Sequence, residues 1–577
     1  MSAPEPPGSP ADPFGTAARR AAVLDAWQSS PTRFREDANA EEDLVLGGYA
    51  DRLLVELLQN AADAAARAGT PGRLRLRLLT PPDGPVLSAA NTGAPLDGAG
   101  VDSLTSLRAS GKRDAPGAVG RFGVGFSAVL AVTDAPELRS TTGGVRFSAA
   151  ETRRAVATAD RLRDETERRD GRVPVLRLAW PVTAGPEDGY DTEVRLPLRD
   201  DAAVDAVRDA LGSFDAALLL SFPQLSTVDV AGRVVTRSSD DEFPDTVLIA
   251  EDGAVTRWRV RRAGGELPAG LLADRPIEER LQTSWTMLAA VPVDDHGPVP
   301  LTEQVVHAPT PSDEPLSVPV RLVGSFPLDP SRRRVPSGTL TDWLVARAAG
   351  VLADLVVGEA GTPAVLPLLP APGFRPGRLS AAVTEALLTE LGDRDLLPTA
   401  DGGRVRPGRA VSVPDPLVEP LTGVLDGLLP AGWWTRDSGA TLASLGVRSL
   451  TVPEVVAAVS GAQRPPSWWR ALYAGLALCP LEAADREALA ALPVPLTDDR
   501  TVTGPARVLL PGDEELPELT GLGLLVAHPD AAHPLLERLG ATPAGPLGVL
   551  RDERVRAAVA TSLSAEEPRP VLDAVLA

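Results

Sequence analysis

Gly117-Ala118-Val119-Gly120-Arg121-Phe122-Gly123-Val124-Gly125-Phe126-Ser127-Ala128-Val129-Leu130 is the stretch around which this 577-residue chain is organised. Four glycines give way at once to an apolar, helix-forming run. Glycine lets the backbone turn with positive φ and approach a ligand closely, and the free N–H groups of a helix start then face an anion. The same pattern also serves as a packing device between a turn and a helix. On its own it leaves both readings open.

Just before it, residues 108–116 (Arg-Ala-Ser110-Gly-Lys112-Arg-Asp-Ala-Pro) are polar and glycine-containing, a segment suited to folding over a bound phosphate as a lid. Lys112 is the chain's only lysine. Farther back, residues 51–68 read as one long helix, stopped by Gly69 and Pro71. Glu56, Asn60 and Asp63 fall at helical spacing on one narrow stripe, flanked by Arg52 and Arg67. The simpler reading of that stripe is the solvated face of an amphipathic helix. The sharper one is a stripe facing a ligand cavity, with Glu56 handling a water and Asn60 a hard cation. Asparagine and aspartate are poor helix formers, so their mid-helix position favours a role. Residues 73–79 alternate arginine and leucine, the pattern of a strand with one buried face. Residues 86–90 form a more buried strand running into Asn91-Thr92-Gly93-Ala94-Pro95. A polar strand end followed by glycine suits recognition of a flat ligand, and equally an ordinary turn. A short helix is expected at 101–107.

The whole chain sets bounds on these readings. Cys479 is its only cysteine, which excludes internal disulfides and cysteine-based zinc sites. No apolar run is long enough to span a bilayer and the N-terminus carries no signal pattern, so a cytoplasmic protein is expected. A net charge of −21 argues against non-specific nucleic-acid binding over the whole surface. No histidine precedes His296, so the N-terminal half has none for a metal, a base or a phosphoacceptor.

Read in order, Glu56-Leu-Leu-Gln-Asn60-Ala-Ala-Asp63, Asn91-Thr92-Gly93, Ser110-Gly111-Lys112 and Gly120-Arg121-Phe122-Gly123-Val124-Gly125-Phe126-Ser127 resemble the motifs of the GHKL ATPases. The Arg-Phe-Gly-Val-Gly-Phe string is similar to the heat-shock-protein-90 form. Residues 35–41 (Arg-Glu-Asp-Ala-Asn-Ala-Glu) and 132–136 (Val-Thr-Asp-Ala-Pro) are similar to the sacsin-type N-terminal ATPase domain. The resemblance implies a Bergerat fold holding ATP between a mixed sheet and a layer of helices. It implies that Glu56 activates the attacking water, that Asn60 coordinates Mg²⁺ bridging the phosphates, and that Asp63 lines the nucleotide cavity. Gly93, Ser110 and Lys112 join the ATP-binding set, and the backbone from Gly120 through Arg121, Phe122, Gly123, Val124, Gly125 and Phe126 cradles the phosphates. Asn91 stands where the family usually carries an adenine-binding aspartate, and Pro95 replaces a glycine of the same motif. Asparagine keeps a carbonyl acceptor but not the charge. Thr192, opening an expected strand at 192–198 entered through Gly189-Tyr190-Asp191, matches an adenine-binding threonine. The resemblance further implies a protein client and allows a homodimer. Arg332 or Arg333, in Ser331-Arg332-Arg333-Arg334, would reach the γ-phosphate as domains close. A histidine kinase lacks its phosphoacceptor here, and a DNA-acting relative fits the acidic balance poorly. The alternative of another class is a binding scaffold with a degenerate pocket.

The expected class is therefore α/β (α+β). Residues 1–13 form a disordered tail, 14–201 the ATP-binding sandwich, 202–350 an α/β middle domain, and 351–577 small duplicated α/β units. Strands are expected at 174–182, 225–230, 233–236, 257–261 and 285–293, a charged, exposed helix at 149–170, and further helices at 202–214 and 341–357. The duplication rests on Leu397-Pro-Thr-Ala-Asp401 against Pro495-Leu-Thr-Asp498, and on Leu442-Ala-Ser-Leu-Gly-Val against Leu536-Glu-Arg-Leu-Gly-Ala, about ninety-five residues apart. The tryptophan pairs 433–434 and 468–469 read as core in preference to an exposed patch.

Overall fold

The computed structural model describes residues 12–46, 52–105, 125–273, 275, 280, 283–308, 310–329, 333–480, 482–512 and 523–562. It is a mixed α/β protein with one large mixed sheet, and it divides into two compact units, residues 1–355 with 375–384, and 356–374 with 385–577.

In the first unit, α1 (Thr16–Ser29) begins where the Asp12 carboxylate accepts the N–H groups of Thr16 at 2.8 Å and Ala17 at 3.1 Å. Those are otherwise orphan donors of a helix start. Asp12, assigned to the tail from sequence, is buried and belongs to the fold. α2 (Pro31–Leu46) packs on α1, with Trp27 and Phe34 edge to face at 5.1 Å. α3 (Leu53–Ala68) ends at Gly69, whose φ of +67° supplies the left-handed cap.

α3 lies on β1 (Gly72–Leu79), which pairs antiparallel with β2 (Val86–Asn91). Leu74 and Leu76 of β1 are buried with α3 in the main core. Arg75 and Arg77 point to the other face, paired with Glu187 and Asp229. The arginine–leucine alternation thus sorts one face to helix and one to charge. After β2 come α4 (Gly98–Thr105), β3 (Glu137–Ser140), β4 (Gly143–Arg146), α5 (Ala149–Val156), α6 (Asp160–Arg168), β5 (Trp180–Val182) and β6 (Thr192–Pro197). Then follow α7 (Asp201–Gly212), β7 (Leu225–Val230), β8 (Arg233–Ser239), β9 (Thr246–Glu251), β10 (Ala254–Glu266), β11 (Ser284–Asp294), β12 (Gly297–Pro298), β13 (Gln304–Ala308), β14 (Thr310–Leu316) and β15 (Arg321–Gly324).

The strand order is β14-β13-β15-β11-β10-β9-β8-β7-β1-β2-β6-β3-β4-β5, with β12 on β11. β1 pairs parallel with β7, so the sheet runs unbroken across position 202, where sequence suggested a boundary. Two further differences have local causes. Residues 149–170 form two helices, not one, and Thr152, Val156, Leu162 and Glu165 are buried, so this is no exposed connector. Only 180–182 of the expected 174–182 strand pairs in the sheet. The N–H groups of Val175 and Leu176 donate instead to the Glu41 carboxylate, at 2.5 and 3.1 Å. α8 (Thr339–Glu359) and α9 (Arg378–Gly392) complete the long helices.

The second unit repeats one pattern. Hairpin Leu397–Pro398 with Arg404–Val405 precedes a 3-10 turn at Pro407–Arg409. Val411–Ser412 then pairs parallel with Arg448–Ser449, across the helix Gly439–Ser444. Hairpin Pro493–Pro495 with Thr501–Thr503, turn Pro505–Arg507, the parallel pair Leu509–Leu510 with Thr542–Pro543, and helix Pro534–Arg538 repeat that order. Even the isolated parallel bridges correspond, Val411 to Leu428 and Leu509 to Val526. Trp433 and Trp469 are core, 2% and 1% exposed. Trp468 is half-buried and donates its indole N–H to the Pro420 carbonyl at 2.6 Å.

Candidate functional site

α3 supplies the first group. From Leu53 to Ala65 every residue but Asn60 is buried, and Glu56 and Asp63 are only 4% and 3% exposed. The solvated-face reading of the stripe is therefore overturned. Burying carboxylates demands partners inside the fold, and neither Glu56 nor Asp63 lacks one. Asn60, midway between them, is the one position on this part of the helix open to solvent. α3 also packs against the 3-10 helix Gly125–Ala131, which directly follows the glycine-rich run. There Phe126 and Ser127 are buried, and Phe126 lies 6.5 Å from the Phe147 ring.

The sheet supplies the second group. Leu74 on β1 stands opposite Asn91 on β2, Asn91 opposite Thr192 on β6, and Thr192 opposite Ser140 on β3. Opposed residues of antiparallel strands share a face about 5 Å apart, and Leu74 is on the face that α3 covers. Asn91 and Thr192, a hundred residues apart in sequence, are thus adjacent beneath the helix layer. The Ser140 hydroxyl is 3.1 Å from that of Thr192. Asn91 donates its side-chain N–H to the Thr92 carbonyl at 3.3 Å, which leaves its side-chain oxygen as the acceptor on offer.

Gly93 joins the two groups. Its φ is +136°, and a Cβ there would come within 2.6 Å of the Ala64 carbonyl carbon. Only glycine allows this approach of turn to helix. The next residue, Ala94, donates its N–H to the Ala64 carbonyl at 2.9 Å. The backbone of the strand-end turn is thereby fastened to the helix that carries Glu56, Asn60 and Asp63.

No family model matches the chain, and no curated protein matches it.

Ser110, Lys112, Gly120, Arg121, Phe122, Gly123, Val124 and Arg332 lie outside the described residues. Gly125 begins the 3-10 helix. Arg333 is seated beside β14, its guanidinium 3.2 Å from Asp313 and its backbone N–H on Asp329 at 3.1 Å. No helix among the described residues is long and apolar enough to cross a membrane.

Two features escaped the sequence reading. Asp191 is bonded to the Asn91–Gly93 turn, and its signal was its place directly before Thr192. Glu41 and Arg177 form a buried pair, each 5% exposed at the side chain, with Glu41 Oε1 3.8 Å from Arg177 Nε. Arg177 also donates to the Thr105 carbonyl at the end of α4. Burial pushes the Glu41 carboxyl up from 4.5 to about 7, against the opposing pull of Arg177 and of the Val175 and Leu176 N–H groups. Burial likewise lowers Arg177. Both shifts disfavour the charged forms.

Proposed function

We propose that the chain is an ATP-binding, Mg²⁺-dependent ATPase of the GHKL type, resembling heat-shock-protein-90 and sacsin ATPases, and that it acts on a protein client. The observation that supports this reading is that α3, which bears Glu56, Asn60 and Asp63, packs on the sheet where Asn91 and Thr192 stand side by side, with Gly93 seated against the α3 backbone at Ala64. These are separate sequence motifs, and a packing role for each would not require them to meet.

In this reading the base of ATP lies at the sheet, where the Asn91 oxygen accepts from an exocyclic amino group and Thr192 adds a hydroxyl. The phosphates run toward α3, and the resemblance assigns the glycine-rich run to cradle them. Glu56, one helical turn before Asn60, takes a proton from the attacking water, and its burial keeps bulk water from competing. Among the described residues no group of three or more His, Cys, Asp or Glu could hold a metal ion. A cation held by the Asn60 amide would thus draw its other ligands from phosphates and water, which suits Mg²⁺. When bound it supplies neutralisation of phosphate charge; the chain itself supplies position. By the resemblance, Lys112 and one of Arg332 and Arg333 complete the charge set.

Isothermal titration with Mg-ATP tests the reading. Wild type should bind, and Asn60→Ala should lose at least about tenfold in Mg-ATP affinity while keeping its affinity for metal-free ATP within about threefold. The scaffold alternative, motivated by the uncharged Asn91, requires that neither protein bind nucleotide.

A further inference from the structure

We propose that Asp191 is the positioning residue of the base-binding end of this pocket, holding the Asn91–Gly93 turn in register with Thr192. The inference rests on the nucleotide reading above and adds a residue which that reading does not use.

Both of its main-chain polar groups and one oxygen of its carboxylate are committed to this corner. The carboxylate Oδ2 accepts the Gly93 N–H at 2.9 Å. The Asp191 N–H donates to the Asn91 carbonyl at 3.0 Å. Its own carbonyl accepts the Thr141 N–H at 3.0 Å and the Ser140 hydroxyl at 2.9 Å. One residue therefore ties the end of β2, the end of β3 and the start of β6 together, around the row Asn91–Thr192–Ser140.

The bond to Gly93 matters most. Gly93 has left the ladder and sits against the α3 backbone with positive φ, so its N–H has no strand partner. A carboxylate acceptor makes that bond charge-assisted, about twice as strong as a neutral one. It fixes where the turn starts, and hence where the Asn91 amide points. Asn91 itself carries no charge; the carboxylate bonded to this turn is that of Asp191.

The loop leading to Asp191 is anchored independently. Tyr190 lies under both Arg73 and Arg75, with guanidinium carbons 5.6 and 5.1 Å from the ring centroid. Arg73 donates to the Gly189 carbonyl at 3.1 Å, and Arg75 pairs with Glu187 at 2.7 Å. These contacts are on the sheet face away from α3. Losing the Asp191 carboxylate would therefore loosen the turn at Gly93, which stays tied to β1 through Thr92 and to α3 through Ala94, and leave the loop in place.

The test compares ATP and GTP binding in wild type, Asp191→Ala and Asp191→Asn, with inorganic tripolyphosphate as a probe that lacks the base. Asp191→Ala should weaken ATP about tenfold, narrow the ATP-to-GTP preference by a similar factor, and leave tripolyphosphate within about twofold. Asp191→Asn keeps an acceptor for Gly93 and should restore ATP affinity to within about threefold. An unchanged ATP-to-GTP ratio in Asp191→Ala overturns the proposal while wild-type ATP binding leaves the nucleotide reading standing. Absence of ATP binding in wild type overturns both. Should Asp191→Ala fail to fold, Asp191→Asn decides, and loss of base preference despite the retained acceptor would contradict the positioning role.

Discussion

Glu41 gives the sharpest prediction at the scale of one residue. Its carboxyl is raised from 4.5 to about 7 by burial, so the folded protein holds a proton that the unfolded chain releases near pH 4.5. The stabilisation is complete below pH 4.5 and is lost as pH rises through 7. Glu41→Gln mimics the protonated form and keeps one acceptor for the Val175 and Leu176 N–H groups. It should flatten the stability profile between pH 4.5 and 8 and gain on the order of 2 kcal/mol at pH 8 in urea titrations. A profile as steep as wild type would rule out Glu41 as the titrating group. Sequence did not expose this residue. Its part in the resemblance was legible, but its burial depends on Arg177, more than a hundred positions away, and on two N–H groups that never join a strand. Glu56 and Asp63 teach the converse lesson. Their spacing placed them on one stripe, yet spacing cannot say whether a stripe faces water or a cavity; only the packing of α3 onto the sheet decides that.

At the scale of elements, the turn at Gly93 and helix α3 depend on each other. Gly93→Ala forces a Cβ to within 2.6 Å of the Ala64 carbonyl carbon at a φ of +136°. It should cost at least about 2 kcal/mol and abolish nucleotide binding, read by thermal melting and titration. Leu58, fully buried on the opposite side of α3 from Asn60, is packing alone. Leu58→Ala should cost about 2–5 kcal/mol while the protein that remains folded binds ATP as wild type does. Comparing the two separates loss of the pocket from loss of the core. The strands flanking this turn were legible because alternating arginine and leucine, and then an unbroken apolar run, are strong local patterns. β14 was not legible: Thr310-Pro-Ser-Asp-Glu-Pro-Leu316 carries two prolines and two acids, and only its place at the sheet edge makes it a strand.

At the scale of the whole molecule, the sheet passes through both regions that sequence separated at 202, because β1 and β7 pair across about 150 residues. Such a pairing leaves no local mark. The duplication in the second unit was visible because its turns repeat side chains as well as backbone. Each unit has its own core, one containing Leu58 and Leu74, the other Trp469, Tyr473 and Leu476. Calorimetry should therefore resolve two unfolding transitions, with Mg-ATP raising only the one that Leu58→Ala lowers and Trp469→Ala lowering the other. A single transition moved equally by both substitutions would mean that the units unfold as one.

The most direct measurement is the steady-state ATP turnover of Glu56→Ala beside wild type, at saturating Mg-ATP. A general base held out of solvent on α3 predicts a fall of about a hundredfold or more in kcat, with ATP affinity kept within about threefold. Equal turnover in the two proteins would contradict the assignment of Glu56 and the ATPase pocket built around it.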